Sequence, residues 1–104
     1  MEFESIGEII ASRMLHVVDD RGNKRPVSIF IGKPQPAADS SGYHCAYQII
    51  GIGNQETHIG HGRDSIHALK TAMVLLGDTL NNLNDEIGGK LVWNGGSKGE
   101  LGLP

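Results

Sequence analysis

The chain has 104 residues, near the modal size of one domain, so a second domain is excluded and a single core can bury about two-thirds of the unfolded surface. Its 38% hydrophobic and 20% charged residues are compatible with a globular fold, and fifteen glycines imply many turns or bulges. A net charge of −3 argues against nucleic-acid binding, because the one local basic group, Arg21, Lys24, Arg25 and Lys33, is a thin patch that a solvated hairpin explains. Cys45 is the only cysteine, which excludes an intrachain disulfide and makes the cytoplasm the expected compartment. Residues 1–7 lack the basic start and apolar run of a secretion signal, and no apolar stretch approaches the roughly 20 residues that span a bilayer.

Residues 8–18 read as a long strand rich in Ile, Leu and Val. Asp19-Asp20-Arg21-Gly22-Asn23 follows, and its Gly and Asn tolerate the positive φ of a hairpin loop. The returning strand covers residues 24–31, with Val27, Ile29 and Ile31 on one face. Pro26 has no backbone donor, so this strand starts at an edge or leaves its first residues unpaired on one side.

Residues 32–42 hold two prolines and small polar residues and read as a loop. Residues 43–51 form the third strand, with Tyr43, Cys45, Tyr47 and Ile49 alternating against His44, Ala46, Gln48 and Ile50. After the turn Gly51-Ile52-Gly53-Asn54, residues 55–62 return as a fourth strand, whose single apolar residue Ile59 indicates an edge.

Residues 64–84 carry the one amphipathic helix. Asp64 is its N-cap, and the apolar stripe comprises Ile66, Leu69, Met73, Leu76, Leu80 and Leu83. Gly77 beside that stripe implies close approach to a strand, since a mid-helix glycine costs about 1 kcal/mol relative to alanine. His67, Lys70, Thr71, Asp78, Asn81 and Asn82 face water. Gly88-Gly89 ends the segment, residues 90–93 can add a fifth strand, and residues 94–104 form a glycine-rich tail.

The predicted fold is therefore α+β: a two-layer sandwich of a four- or five-stranded, mainly antiparallel sheet with one long helix on one face, in the order ββββαβ. Such a sheet is about 19 to 24 Å wide and a helix only about 10 to 12 Å. About half of one sheet face is left for something else to cover: the tail with Trp93, Leu101 and Leu103, a second copy of the chain, or a ligand.

Candidate chemistry is sparse. His58 and His61 face apart on a strand, as do His44 and Cys45, and His67 lies on the wet side of the helix, so no metal site is expected. Cys45 sits mid-strand, where a small buried thiol is the commoner reading than a nucleophile. Ser40 and Ser41 have no nucleophile motif around them, and Gly51-Ile52-Gly53 lacks the third glycine and the following helix of a dinucleotide fingerprint. Asp19-Asp20 and Asp85-Glu86 are loop carboxylates explained by solvation. His61, Gly62 and Arg63 before Asp64 form the most suggestive small group, an anion site at a helix N-terminus or an ordinary capped turn, with the turn favoured because the Asp64 carboxylate repels anions.

Several words of the sequence, in order, are similar to those of a family of small uncharacterised bacterial domains: Ala11-Ser12-Arg13-Met14-Leu15, Asp19-Asp20-Arg21-Gly22, Val27 through Gly32-Lys33-Pro34, Asp64-Ser65-Ile66-His67-Ala68-Leu69, and Leu101-Gly102-Leu103-Pro104. The resemblance covers most of the chain and implies no established activity, cofactor or catalytic residue. His67 stands at a Gln-like position of the helix word.

No catalytic set and no cofactor are expected. The function this implies is a non-enzymatic protein-interaction module, through a protein partner or self-association as a homodimer. The alternatives are a small-ligand pocket between the sheet and the 33–42 loop, lined by Tyr43, Tyr47 and Trp93, and an immunity or antitoxin partner. Tyr43, Tyr47, His61, Arg63 and Trp93 are the candidate binding residues.

Overall fold

The computed structural model describes residues 6–39, 41–96 and 99–104. Residues 1–5, on which part of the expectation of no secretion signal rests, Ser40, set aside above as a nucleophile, and residues 97–98 of the tail lie outside the described residues.

Strands β1 (Ile9–Val18) and β2 (Lys24–Gly32) form the expected antiparallel hairpin. Its turn is organised by Asp19, whose Oδ1 accepts from the Arg21 and Asn23 amides at 2.9 and 2.8 Å, and Gly22 takes φ +82° there. The register sets Leu15 against Val27 and Arg13 against Ile29, so Leu15, Val17, Val27, Ile29 and Ile31 share the face that becomes the core.

The 32–42 stretch is not wholly a loop. Strand β3 (Gln35–Pro36) pairs with the start of β4 (Tyr43–Ile50), Gln35 against His44 and Pro36 against Tyr43. The Ala37 amide donates to the Gly42 carbonyl at 2.8 Å and closes the turn between them. β3 lies on the same edge of β4 as β2, whose pairing with β4 covers only Ser28 to Ile31. Lys24 to Val27 therefore lack a partner on the β4 side, which is how Pro26 is tolerated in an interior strand.

Strand β5 (Thr57–Gly62) pairs with β4 alone and is an edge, as its low apolar content implies. At the opposite edge β6 (Leu91–Val92) pairs with β1 at Val17 and His16. The strands thus run β5-β4-β2-β1-β6 across the sheet, every pair antiparallel.

Helix α1 (Ser65–Glu86) is capped by Asp64, whose Oδ1 accepts from the His67 amide at 2.8 Å. The His67 ring folds back, its Nδ1 accepting from the amide of Arg63, the residue before the cap, at 3.0 Å. At the other end the Asn84 Oδ1 accepts from the Leu91 amide at 2.9 Å and ties the helix end to β6.

The buried face of α1 differs from the predicted stripe. Ala68, Ala72, Leu76 and Leu80 are fully buried, Leu69, Met73 and Leu83 pack at their margin, and Ile66 is 77% exposed. The reason lies in β5, where Gly60 and Gly62 present no side chain toward the helix. A Cβ on Gly60 would stand 2.5 Å from the Ala72 nitrogen, and one on Gly62 would overlap the Ala68 nitrogen. The helix rolls its small residues onto the glycines and turns Ile66 outward.

α1 consequently lies over β5 and β4. The β1–β2 half of the same face is covered by the tail: Leu91 and Leu101 are buried, with Trp93 and Leu103 packed against the core. Gly77 faces this tail rather than a strand, since an added Cβ would come within 2.8 Å of the Pro104 oxygen and 3.4 Å of the Leu103 Cβ.

Gly60→Ala is expected to force the helix off β5, with backbone as the obstructing neighbour, and to lower stability by about 1 to 3 kcal/mol. Thermal unfolding followed by circular dichroism checks this, and a midpoint equal to that of the unaltered chain contradicts it.

Candidate functional site

The tail is fastened through one side chain. The Arg13 Nη1 donates to the Leu101 carbonyl at 2.8 Å and the Gly102 carbonyl at 2.9 Å, while the guanidinium carbon stands 4.1 Å from the centre of the Trp93 ring. Arg13 is available for this because β6 covers only His16 and Val17 of β1. Gly102 takes φ +76°, and a Cβ there would come 2.5 Å from the Arg13 Nη1 and from Trp93 Cζ3, so the latch closes only around glycine. Two of the words that carry the family resemblance, Ala11-Ser12-Arg13 and Leu101-Gly102-Leu103, are thereby joined across the whole length of the chain.

Beside the latch, β1, β2, α1 and the tail line an open-sided cavity of about 120 Å³. Its walls are Ala11, Ile29, Ile31, Met73, Leu76 and Leu103, with Ser12, Arg13 and Gly102 completing the lining. A second hollow of about 100 Å³ lies at the far end of the helix, between Leu83, Thr79 and the turn after β4. His58 lines it and stacks on Tyr47, ring centres 5.4 Å apart. Burial pushes the Tyr47 phenol pKa up, partly offset by a hydrogen bond with the Thr79 side chain.

The face of the sheet turned away from α1 has a different character. It carries Ser12, Met14 and His16 from β1, Pro26, Ser28 and Phe30 from β2, His44, Ala46, Gln48 and Ile50 from β4, Thr57, Ile59 and His61 from β5, and Val92 from β6. Met14, Ile50, Ile59 and Val92 are among its exposed apolar side chains, and Ile9 and Ile10 stand exposed at the β-bulge on its rim. Lys24, at the end of β2, is the one formal charge among these strand positions. Met14, Ser28 and Ile50 lie in one cross-strand row, where the Ser28 hydroxyl donates to the Met14 Sδ at 3.3 Å.

The five candidate residues fall in separate places. Tyr43 and Tyr47 pack toward the helix, Tyr47 only 4% exposed, and Trp93 lies under Arg13. His61 sits on the opposite face, across from His44 in the β4–β5 register, and Arg63 is in the turn that Asp64 caps. Neither cavity described above takes Tyr43, Tyr47 or Trp93 into its wall. In the 37–42 turn the Ser41 hydroxyl and amide donate to Asp39 Oδ1 at 2.5 and 3.0 Å, and these bonds hold that carboxyl below its usual range. Cys45 is fully buried, its Sγ donating to the Gly32 carbonyl at 3.3 Å, and burial pushes its thiol pKa up.

Among the described residues no three His, Cys, Asp or Glu side chains gather to hold a metal ion, and no helix is long and apolar enough to cross a membrane. The residues that shape the cavity and latch, Arg13 and Gly102, carry no sequence signal of their own. Gly60 and Gly62 do, since two glycines alternating on one face of a strand mark a close backbone approach.

Fold and surfaces together define a two-layer α+β domain with an open antiparallel sheet and a latched tail. The chain belongs to the family of DUF6968, a domain of unknown function, which it matches over residues 11–104. No curated protein and no solved structure matches it.

Arg13→Ala removes two charge-assisted bonds and the stacking on Trp93, all in a partly exposed setting, and is expected to cost about 1 to 2 kcal/mol. Urea denaturation reads the loss, and Trp93 emission is expected to shift to the red as the ring gains water. A second expectation concerns alkaline pH. The Cys45 thiol and Tyr47 phenol are raised by burial, so their contribution to stability is fully present below the ordinary thiol value and is lost as pH rises through and above it. The urea midpoint is expected to fall between neutral and alkaline pH, and Cys45→Ala to flatten the thiol part of that fall.

Proposed function

We propose that this domain is a non-enzymatic protein-interaction module and that it self-associates, two copies meeting through the sheet faces turned away from α1. The observation that carries the reading is an exposed face of mixed polar and apolar side chains with no formal charge in its interior. Single exposed apolar residues are ordinary, but here Met14 and Ile50 share a cross-strand row on either side of Ser28, and Ile59 lies on the same face across from Ala46, beyond the row of Gln48 and Thr57.

An uncharged face suits a second copy in particular. A patch of one sign would repel its own image, whereas this face meets itself about a two-fold axis without unpaired charge. The strands of 10, 9, 8, 6 and 2 residues, at about 3.4 Å per residue and about 4.8 Å per strand, make a surface of about 570 Å² per copy, the size of a weak or transient interface. The acids, bases and nucleophiles singled out from the sequence do not converge, which favours binding over catalysis. A buried free thiol suits the cytoplasm as its compartment.

Sedimentation equilibrium at micromolar concentration is expected to give about twice the 11.1 kDa chain mass. Met14→Lys combined with Ile50→Lys places two like charges on the exposed face and is expected to return the chain mass with the circular dichroism spectrum retained. A single 11.1 kDa species for the unaltered chain across that concentration range overturns the proposal.

A further inference from the structure

The proposed self-association uses the far side of the sheet and leaves the cavity at the latch unexplained. That cavity joins two properties. Its interior is hydrocarbon, with Ile29, Ile31 and Leu76 buried in the core, and its lining also holds a guanidinium, that of Arg13. We infer that it binds a small aliphatic carboxylate, the hydrocarbon part inside the cavity and the carboxylate on Arg13.

Size comes first. An apolar cavity of about 150 Å³ stays dry and accepts benzene, so the 120 Å³ here has room for an aliphatic group of about four or five carbons. Two of the surrounding side chains can adjust to such a guest, and a third leaves room for it. Met73 is an unbranched thioether that refills irregular space, Leu103 belongs to the short tail end held by the latch, and Ala11 is an exposed strand residue that offers only a methyl group.

Charge decides the head group. Arginine carries five N–H donors, and both bonds that Arg13 makes to the tail leave from Nη1. Their acceptors are the neutral carbonyls of Leu101 and Gly102, which orient the guanidinium without cancelling its charge. The guanidinium carbon lies over the Trp93 ring, 4.1 Å from its centre. The edge formed by Nε and Nη2 is the side on which a carboxylate forms two parallel bonds. Ligand and tail would then be bound by one residue, so occupancy of the cavity would also tighten the tail over it.

The test is a titration of the full chain with hexanoate, followed by amide and indole shifts in ¹H–¹⁵N correlation spectra. Saturable shifts are expected at Ala11, Met73, Leu103 and the Trp93 indole in the millimolar range. Hexanol, equal in length and uncharged, is expected to bind about tenfold more weakly. Ala11→Leu fills the cavity from an exposed position and is expected to weaken hexanoate binding about tenfold, with Trp93 emission unchanged because Arg13 and the tail remain in place. Absence of saturable shifts at about 10 mM hexanoate, hexanol binding as well as hexanoate, or full binding by Ala11→Leu each overturns the inference. The hexanol comparison uses the unaltered chain and so stands even if Ala11→Leu folds poorly. A monomeric chain in sedimentation leaves this result untouched, which separates the two proposals.

Discussion

The backbone of α1 rests directly on the backbone of β5, and the position of almost everything else follows from that contact. Helices usually pack on sheets through a layer of large side chains. Here Gly60 and Gly62 remove the layer from one side, and Ala68 and Ala72 thin it on the other. Little apolar area is buried at the glycines themselves. The gain is geometric: the helix sits low over the β5 edge, and its larger residues, Leu76 and Leu80, reach the core next to Ile29 and Ile49 with no exposure remaining.

A helix placed at one edge cannot also cover the other. It is about half as wide as the sheet, so β1 and β2 must be covered by something else. The chain meets this demand with its last residues. β6 turns the path back along β1, Leu101 enters the core, and Gly77 lets the final residues lie against the helix flank. A tail without secondary structure has few backbone bonds of its own to hold it. Arg13 substitutes for them by binding two successive carbonyls, and for that reason one side chain on β1 matters more than its partly exposed position suggests. Packing by an irregular tail is also less dense than packing by a helix, which accounts for a cavity at this place in the fold.

The outline of this arrangement is legible in the sequence because it depends on local chemistry. The Asp19 turn, the Asp64 cap, the alternation along β4 and the helix itself are each written in a few neighbouring residues. The edge position of β5 and the shortfall in helix width follow from composition and length. Ile66 shows where such reading stops. Its spacing places it in the apolar stripe, but the facing strand presents glycine, and the roll of the helix is set by the partner rather than by its own periodicity. Gly77 was readable as a close approach, and its neighbour, the tail, was not. The short β3 pairing escapes for a similar reason, since two residues rich in proline have no strand pattern until β4 is beside them. Arg13, Trp93 and Gly102 are the extreme case. They are far apart in the chain, and no residue type or spacing announces that a strand arginine will hold a distant tail.

The two faces of the sheet therefore present opposite problems. On the helix side every large gap is closed by the chain itself, at the cost of an imperfect seam under the latch. On the other side nothing from the described residues covers Met14, Ile50 or Ile59. An antiparallel sheet that simply meets water would carry charged and polar residues at alternate positions, and Lys or Glu there would cost little. Instead the interior of this face is built from Ser, Met, Phe, Ala, Gln, Thr, Ile and His, residues that are tolerable in water and compatible with burial. A permanently buried face would be more apolar throughout. The two faces thus differ in kind: the helix side is closed by α1 and the tail around a seam beside Arg13, and the far side is an exposed plane with no formal charge in its interior.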